Sequence, residues 1–283
     1  MPNFEGQPIA DFVLHQRVGQ GGLADVYKAW DDFLSRWVAI KVLHKGLNSE
    51  YLLKEARIIA SLKHANIIPI YSFDYTDVLG ANNRLYTLPF YVMQYARGSL
   101  ADRHPYGERL PADILINYMR QIVDGLAYIH AMRDEDCTLV HLDIKPSNIL
   151  VGMHDEIIIS DFDTARYVSE RYFSQVTSSQ VPTGTTIYMA PEQFYGQPCP
   201  ASDQYALGVM SYEWLTGRPP FRGSRRTIKT QKMQADPLPL RAIVPDILPA
   251  VEQVVLKALR RNPYSRYANV YEFYEALENA IGL

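Results

Sequence analysis

The chain has 283 residues, 47% of them hydrophobic and 21% charged, a size of about two domains or one domain with two lobes and enough apolar chain for a real core. Its net charge of −3 excludes the basic balance of a protein built to bind nucleic acid or an anionic membrane. No stretch approaches the ~18 apolar residues of a membrane helix, and "MPNFEGQPIADF" lacks a basic segment followed by an apolar one, so neither a membrane span nor a signal peptide is expected. Cys137 and Cys199 stand far apart without metal-ligand spacing and read as reduced thiols, which points to a cytoplasmic setting.

In chain order, "FVLHQRV" and "ADVYKAW" alternate around a glycine-rich turn, and "RWVAIKVL" is rich in branched residues, so all three are expected strands. In "VGQGGLADVYKAW", Gly19 and Gly21 would let backbone N–H groups approach a phosphate, although a plain hairpin turn uses the same residues. Lys41 lies between Ile40 and Val42, either as a solvent-facing lysine of an amphipathic strand or as a fixed cation for nucleotide phosphates. "NSEYLLKEARIIASLKH" is expected to be a helix capped by Asn48 or Ser49. At about 100° per residue, Glu55 falls in its apolar arc with Leu52, Ala56, Ile59 and Leu62, away from Glu50, Lys54 and Arg57. A carboxylate there is costly unless paired. Lys41 is the natural partner, and a glutamate at the edge of the face, in water, is the alternative.

"IIPIYSFDY" and "RLYTLPFYVMQY" read as paired strands around "LGANN". After "ARGSL" the character changes. "PADILINYMRQIVDGLAYIHAM" is a long helix with Leu115, Tyr118, Met119, Ile122, Leu126 and Ile129 at helical spacing and Pro111 near its start. In "VHLDIKPSNILVG", Asp143 can accept from a hydroxyl nucleophile. Lys145 can neutralise a phosphoryl charge, and Asn148 offers a carbonyl oxygen to a hard cation. A polar turn draws on the same residue types. "EIIISDFDTAR" carries Asp161 to a strand end, where it would hold Mg²⁺ or cap a turn, and the hairpin with "NILVG" is expected to bring Asn148 and Asp161 together. The remainder, including "DQYALGVMSYEWLTG" and "LPAVEQVVLKALRRN", is mostly helical.

The ordered set "GQGGLADV", "VAIK", "HLDIKPSN", "DFD" and "APE" makes nearly the whole chain similar to a protein kinase domain of the eukaryotic-like Ser/Thr type common in bacteria. The resemblance implies an α+β, two-lobed fold. A small antiparallel β N-lobe with one main helix would span about residues 1–95, a hinge about 94–98, and a larger helical C-lobe about 99–283. It implies phosphoryl transfer from ATP, with Mg²⁺ or Mn²⁺, to Ser/Thr hydroxyls of protein substrates and of the chain itself. Val18, Gly19, Gln20, Gly21, Gly22, Leu23, Ala24, Asp25, Val26 and Ala39 would surround the nucleotide. Lys41 would bind the α/β-phosphates and pair with Glu55. Met93 would be the gatekeeper, and the backbone of Gln94–Ala96 would bond adenine. Asp143 would take or orient the hydroxyl proton with Lys145 beside it, while Asn148 and Asp161 would hold the metal. Asp203 would brace the catalytic loop, and Glu192 with Arg266 would tie down the "APE" segment. Lys145 together with "GTTIYMAPE" is similar to the Ser/Thr class, with Thr185 near the acceptor site. Nothing in the sequence fixes the oligomeric state. Many relatives carry further parts after the kinase domain, so the chain can be one piece of a longer protein.

Three departures stand out. Ala24 replaces the third loop glycine, a mild change. Leu142 replaces the Arg that, in the family, meets a phosphate on the activation segment, so activity is expected to depend little on phosphorylation through that contact. Asp163 replaces the glycine of the metal-binding triplet, where it either adds a carboxylate near Mg²⁺ or points to water. Ser169, Ser174, Thr177, Ser178, Ser179 and Thr183 make the intervening segment hydroxyl-rich, mostly as a polar loop, with one or more as autophosphorylation sites. The alternative of a different class is a pseudokinase, a nucleotide-binding scaffold on the same fold. A small-molecule phosphotransferase is a third reading, and "GTTIYMAPE" speaks against it.

Overall fold

The computed structural model describes residues 4–44, 46–79, 85–169 and 186–282. The chain divides into two compact units, Met1–Arg97 with Gly152–Asp155, and Gly98–Val151 with Glu156–Leu283.

The first unit is an antiparallel sheet with one helix. Its strands are β1 (Pro8–Ile9), β2 (Phe12–Gln20), β3 (Ala24–Asp31), β4 (Arg36–Leu43), β5 (Ile70–Leu79) and β6 (Leu85–Gln94), with α1 (Glu50–Ser61) between β4 and β5. The spatial order is β1-β2-β3-β4-β6-β5. β4 is central, pairing Lys41 with Val26 of β3 on one side and with Tyr91 of β6 on the other. Both its faces are covered from Val38 to Leu43, which is why its sequence is a near-continuous apolar run rather than an alternation. Leu14, Tyr27, Val38, Ile40, Phe90 and Val92 form the core of one face. α1 buries Leu52, Glu55, Ala56 and Ile59, the arc expected from its periodicity. The cap is Asn48, whose Oδ1 accepts from the Glu50 N–H at 3.0 Å, while Ser49 makes no side-chain cap. The "LGANN" turn falls largely outside the described residues.

The second unit is mainly helical. It contains β7 (Gly98–Ser99), α2 (Leu100–Arg103), α3 (Ala112–Ala131), β8 (Arg133–Asp134), β9 (Cys137–Val140), β10 (Ile149–Val151), β11 (Ile157–Ile159), β12 (Arg166–Ser169), α4 (Pro200–Thr216), α5 (Arg225–Gln234), α6 (Pro249–Ala258) and α7 (Val270–Ile281). α4 is buried continuously from Ser202 to Thr216, with α3, α6 and α7 packed against it. α3 buries all six of the residues picked out by helical spacing. Two three-stranded sheets, β11-β10-β7 and β12-β9-β8, carry the polar loops described below. The second was not visible in the sequence, because strands of two to four residues are too short to show a period. Among the described residues no helix is long and apolar enough to cross a membrane, and both cysteines are free thiols.

Gly208 marks the closest approach of α4 to α6. A Cβ at this position would lie 3.0 Å from the Ala258 Cβ and 3.2 Å from a Leu259 methyl carbon. Gly208→Leu must therefore push the helices apart, at about 2 kcal/mol. The expected outcome is a thermal midpoint lower by roughly 5 °C in a calorimetric scan.

Candidate active site

In the first unit, β2 and β3 close the glycine-rich hairpin, with Gly19 opposite Val26 and Gln20 opposite Asp25. The Gly21 N–H donates to the Ala24 carbonyl at 2.9 Å. A Cβ on Gly21 would sit 3.0 Å from that same oxygen, so the tight turn itself selects glycine. Gly22 faces open space, and Val18 and Leu23 are exposed. Ala24 is buried and paired with Leu43. Asp25 is buried too, with carboxylate oxygens 3.2 Å from His44 Nε2 and 3.8 Å from Arg17.

Lys41 is not a solvent-facing lysine. Its ammonium donates to both oxygens of Glu55 at 2.8 and 2.9 Å, and the Tyr91 hydroxyl donates to Glu55 Oε1 at 3.0 Å. Both charged side chains are buried, at 7% and 2% exposure. Met93 is buried in β6 opposite Ala39, Gln94 ends the strand opposite Val38, and Ala96 follows half-buried.

In the second unit, the polar loop leaves β9 and enters β10 through a single helical turn at Pro146–Asn148. Its geometry is built around Asp203 of α4. One Asp203 oxygen accepts from the Leu142 N–H at 2.8 Å, and the other accepts from the His141 N–H at 3.0 Å and from His130 Nε2 at 2.8 Å. Burial alone would raise the Asp203 carboxyl. The bond and charge from His130, joined by His141, outweigh it and hold the group below its ordinary value. His141 Nε2 donates to the Ser160 carbonyl at 3.1 Å and Nδ1 accepts from the Asp143 N–H at 3.3 Å, partners that assign the tautomer. Its ring stacks edge-on against Phe162 at 4.7 Å.

These constraints aim Asp143. Its Oδ2 accepts from Lys145 at 2.6 Å and from Asn148 Nδ2 at 2.9 Å. Asn148 Nδ2 also donates to the Asp143 carbonyl, so the Asn148 carbonyl oxygen points away from that pair. β10 and β11 form the expected hairpin, Ile149 opposite Ile159, and the Ser160 N–H donates to the main-chain carbonyl of Asn148 at 2.9 Å. Asp161 therefore emerges next to Asn148. It holds a left-handed φ of 64°. Asp163 is exposed and is not among the left-handed residues, so an aspartate there meets no backbone penalty. A carboxylate oxygen of Asp163 lies within 4.8 Å of one on Asp161.

The segment that begins at Thr186 is held from three sides. Glu192 and Arg266 form a two-pronged buried pair at 2.8 Å per contact. The other three guanidinium donors reach the carbonyls of Ala201, Arg260 and Arg261, so all five are used. Two further holds escaped the sequence reading. Gln193 links the Ala190 N–H to the Leu142 carbonyl. Lys232 of α5, 1% exposed, donates to the carbonyls of Ile187 at 2.5 Å and Met189 at 2.6 Å, below the ring of Tyr205. Burial drives the Lys232 ammonium well below its ordinary value, partly offset by Glu192. A lysine on a polar helix carries no sequence signal of such a role. Of the hydroxyls noted above, Ser169 lies in β12, whereas Ser174, Thr177, Ser178, Ser179, Thr183 and Thr185 lie outside the described residues.

A carboxylate lowered in the fold stabilises it above the unfolded value, and that contribution fades as pH falls through the folded one. Asp203→Asn should lower stability by about 3 kcal/mol at neutral pH, with the gap to wild type closing below pH ~4, as measured by denaturant unfolding across pH. Lys232→Met removes both donors from the Ile187 and Met189 carbonyls. Hydrogen exchange should then rise at least tenfold across residues 186–190, consistent with an unsatisfied-group cost of about 1–3 kcal/mol.

The family model for the protein kinase domain matches residues 12–278. The chain is 34% identical to the serine/threonine-protein kinase PrkC of Bacillus subtilis, over 93% of this chain and 39% of PrkC. It is 32% identical to the serine/threonine-protein kinase PknL of Mycobacterium tuberculosis, over 94% of this chain and 65% of PknL. A chain of Bifidobacterium longum named "Probable serine/threonine-protein kinase PknB" is 33% identical over 93% of this chain and 38% of its own length. This chain thus spans from about two fifths to two thirds of these relatives. The β-sheet unit carrying a buried Lys41–Glu55 pair, the helical unit carrying Asp143, Asn148 and Asp161, and these matches all lead to one assignment: the chain belongs to the protein kinase domain family.

Proposed function

We propose that the chain is a serine/threonine protein kinase that transfers the γ-phosphoryl group of ATP to hydroxyls of protein substrates, itself included. The observation that carries this reading is the arrangement of Asp143. Its Oδ2 takes both the Lys145 and the Asn148 bonds, which leaves Oδ1 to accept from an incoming hydroxyl and aim its oxygen at phosphorus. Lys145, fixed on Asp143, lies where it can balance charge on the transferred group. Lys41 is the cation for the nucleotide phosphates, and Glu55 with Tyr91 locks its position. The backbone of Gly19–Ala24 covers the phosphates, and Gln94–Ala96 offers backbone groups to adenine. The names of PrkC and PknL support Ser and Thr as the acceptor class.

The oxygen donors of Asn148 and Asp161, with Asp163 beside them, suit a hard cation such as Mg²⁺ or Mn²⁺ better than a softer metal. Such an ion, when bound, shields the charge on the phosphates. Leu142 offers no cation to a phosphorylated segment. Its backbone is instead held by Asp203 on one side and Gln193 on the other, so loop order in this chain rests on protein groups rather than on a phosphate.

Asp143→Asn should lower the transfer of labelled phosphate from MgATP by about 10²- to 10⁴-fold while leaving the unfolding midpoint and its shift by MgATP unchanged. The acceptors are a generic basic protein and the chain itself, with phosphoamino-acid analysis expected to return Ser and Thr. Wild-type protein that is stabilised by MgATP yet transfers nothing would overturn the kinase reading in favour of a nucleotide-binding scaffold.

A further inference from the structure

The sheet face that carries Lys41 continues into a second cluster, which the chemistry above does not use. Side chains alternate along a strand, so Trp37, Ala39 and Lys41 share one face of β4. Their partners on β3, Trp30, Lys28 and Val26, lie on the same face. Lys28 Nζ stands 3.9 Å from the centroid of the Trp37 ring and 4.9 Å from that of Tyr95, both inside the ~6 Å range of cation–π attraction. Trp37 is in turn braced edge-on by Trp30 at 5.0 Å and by His15 at 4.9 Å. His15 is the extra residue of a bulge in β2, between the Leu14–Ala29 and Gln16–Lys28 pairs, and a bulge re-aims a side chain. Three strands and the segment after β6 thus converge on one lysine, all within the first unit.

An ordinary surface lysine explains this poorly. Such a residue keeps its ammonium in water or beside a carboxylate. Lys28 is half-buried. Among the described residues it makes no hydrogen bond and no ion pair, and its charge meets the two rings instead. Tyr95 is half-buried as well, and among the described residues its hydroxyl has no hydrogen bond. The β4–β6 register ends at Val38 opposite Gln94, which leaves the backbone of Tyr95 and Ala96 outside the ladder. Lys28 therefore links the first residue past the ladder to a braced ring on the central strand.

We propose that Lys28 is a positioning residue for the nucleotide. By joining the Tyr95 ring to the Trp37 ring it takes over where the ladder stops, and it holds the Gln94–Ala96 backbone in the conformation that meets adenine. The inference rests on the kinase reading, which assigns that backbone to adenine. Lys28 acts through Tyr95 and not on the phosphates, so its effect belongs to the base and is the same for ATP, ADP and adenosine. Arginine can replace it, because a guanidinium also stacks on aromatic faces, whereas an uncharged side chain of similar length cannot.

The test compares wild type with Lys28→Met, Lys28→Arg and Trp37→Leu chains. Titration calorimetry with adenosine, ADP and MgATP should show Lys28→Met and Trp37→Leu each losing about fivefold in affinity for all three ligands, the scale of a pair of cation–π contacts. Lys28→Arg should restore it. In phosphate transfer the same loss should appear in the KM for ATP at equal kcat. Without any ligand, hydrogen exchange at residues 94–97 should rise roughly threefold in Lys28→Met and return to the wild-type rate in Lys28→Arg, at an unchanged unfolding midpoint. Equal adenosine affinity in wild type and Lys28→Met would overturn the proposal. So would a loss confined to the phosphate-bearing ligands, since Lys28 would then be a direct cation for phosphate. A Lys28→Arg chain that restores nothing, or a midpoint that falls along with the affinity, would reduce Lys28 to a packing residue and overturn it as well. The adenosine and exchange measurements need no turnover, so a chain that shows both effects but transfers no phosphate overturns the kinase reading alone. A chain that transfers phosphate with a KM indifferent to Lys28 overturns the positioning role alone.

Discussion

The helical unit depends on one buried carboxylate. Asp203 sits in the first turn of the molecule's most enclosed helix and turns both oxygens onto the backbone of His141 and Leu142. Without those bonds two buried N–H groups would be stranded, at about 1–3 kcal/mol each. With them, Leu142 can hold a left-handed φ of 70°, a conformation that costs a non-glycine residue about 1–2 kcal/mol. Bonds to a charged acceptor contribute about 1.5–3 kcal/mol apiece, so the bracing outweighs the strain. The resulting kink turns Asp143 toward Lys145 and Asn148, and the site geometry follows from it.

Two buried ion pairs play a different part. Lys41–Glu55 lies across the first unit's sheet and helix, and Glu192–Arg266 lies within the second. Desolvation cancels much of the attraction in such pairs, so neither is a large net source of stability. Breaking one partner is costly, however, because the survivor is left charged and dry. Each pair therefore fixes a register. One sets where α1 sits against β4 and β6. The other, with all five guanidinium donors used, sets where the Ala190–Glu192 turn sits against the end of α6 and the residues that follow it. Lys232 is a third device of this kind without a carboxylate, a buried lysine nitrogen that donates to two main-chain carbonyls.

The departures from the family pattern look different once the backbone is known. Asp163 would be a poor exchange for glycine if that position were left-handed, but the left-handed residue is Asp161, two positions earlier. Leu142 has no guanidinium, and its backbone N–H and carbonyl are held by Asp203 and Gln193.

The sequence by itself determined the α+β class, the strand of Lys41, the apolar arc of α1 with Glu55 inside it, the buried face of α3, and the hairpin that places Asn148 beside Asp161. Each of these follows from local periodicity or from the cost of burying a charge, and both can be read along a single segment. Only the tertiary structure decided that Lys41 is buried rather than solvent-facing, because β4 is covered on both faces and parity then loses its meaning. It alone revealed the short β12-β9-β8 sheet, the choice of Asn48 over Ser49 as cap, the Gln193 bridge and the Lys232 clamp. Those features join residues tens of positions apart through single hydrogen bonds, and no period or spacing in a chain encodes which distant carbonyl a lysine will find.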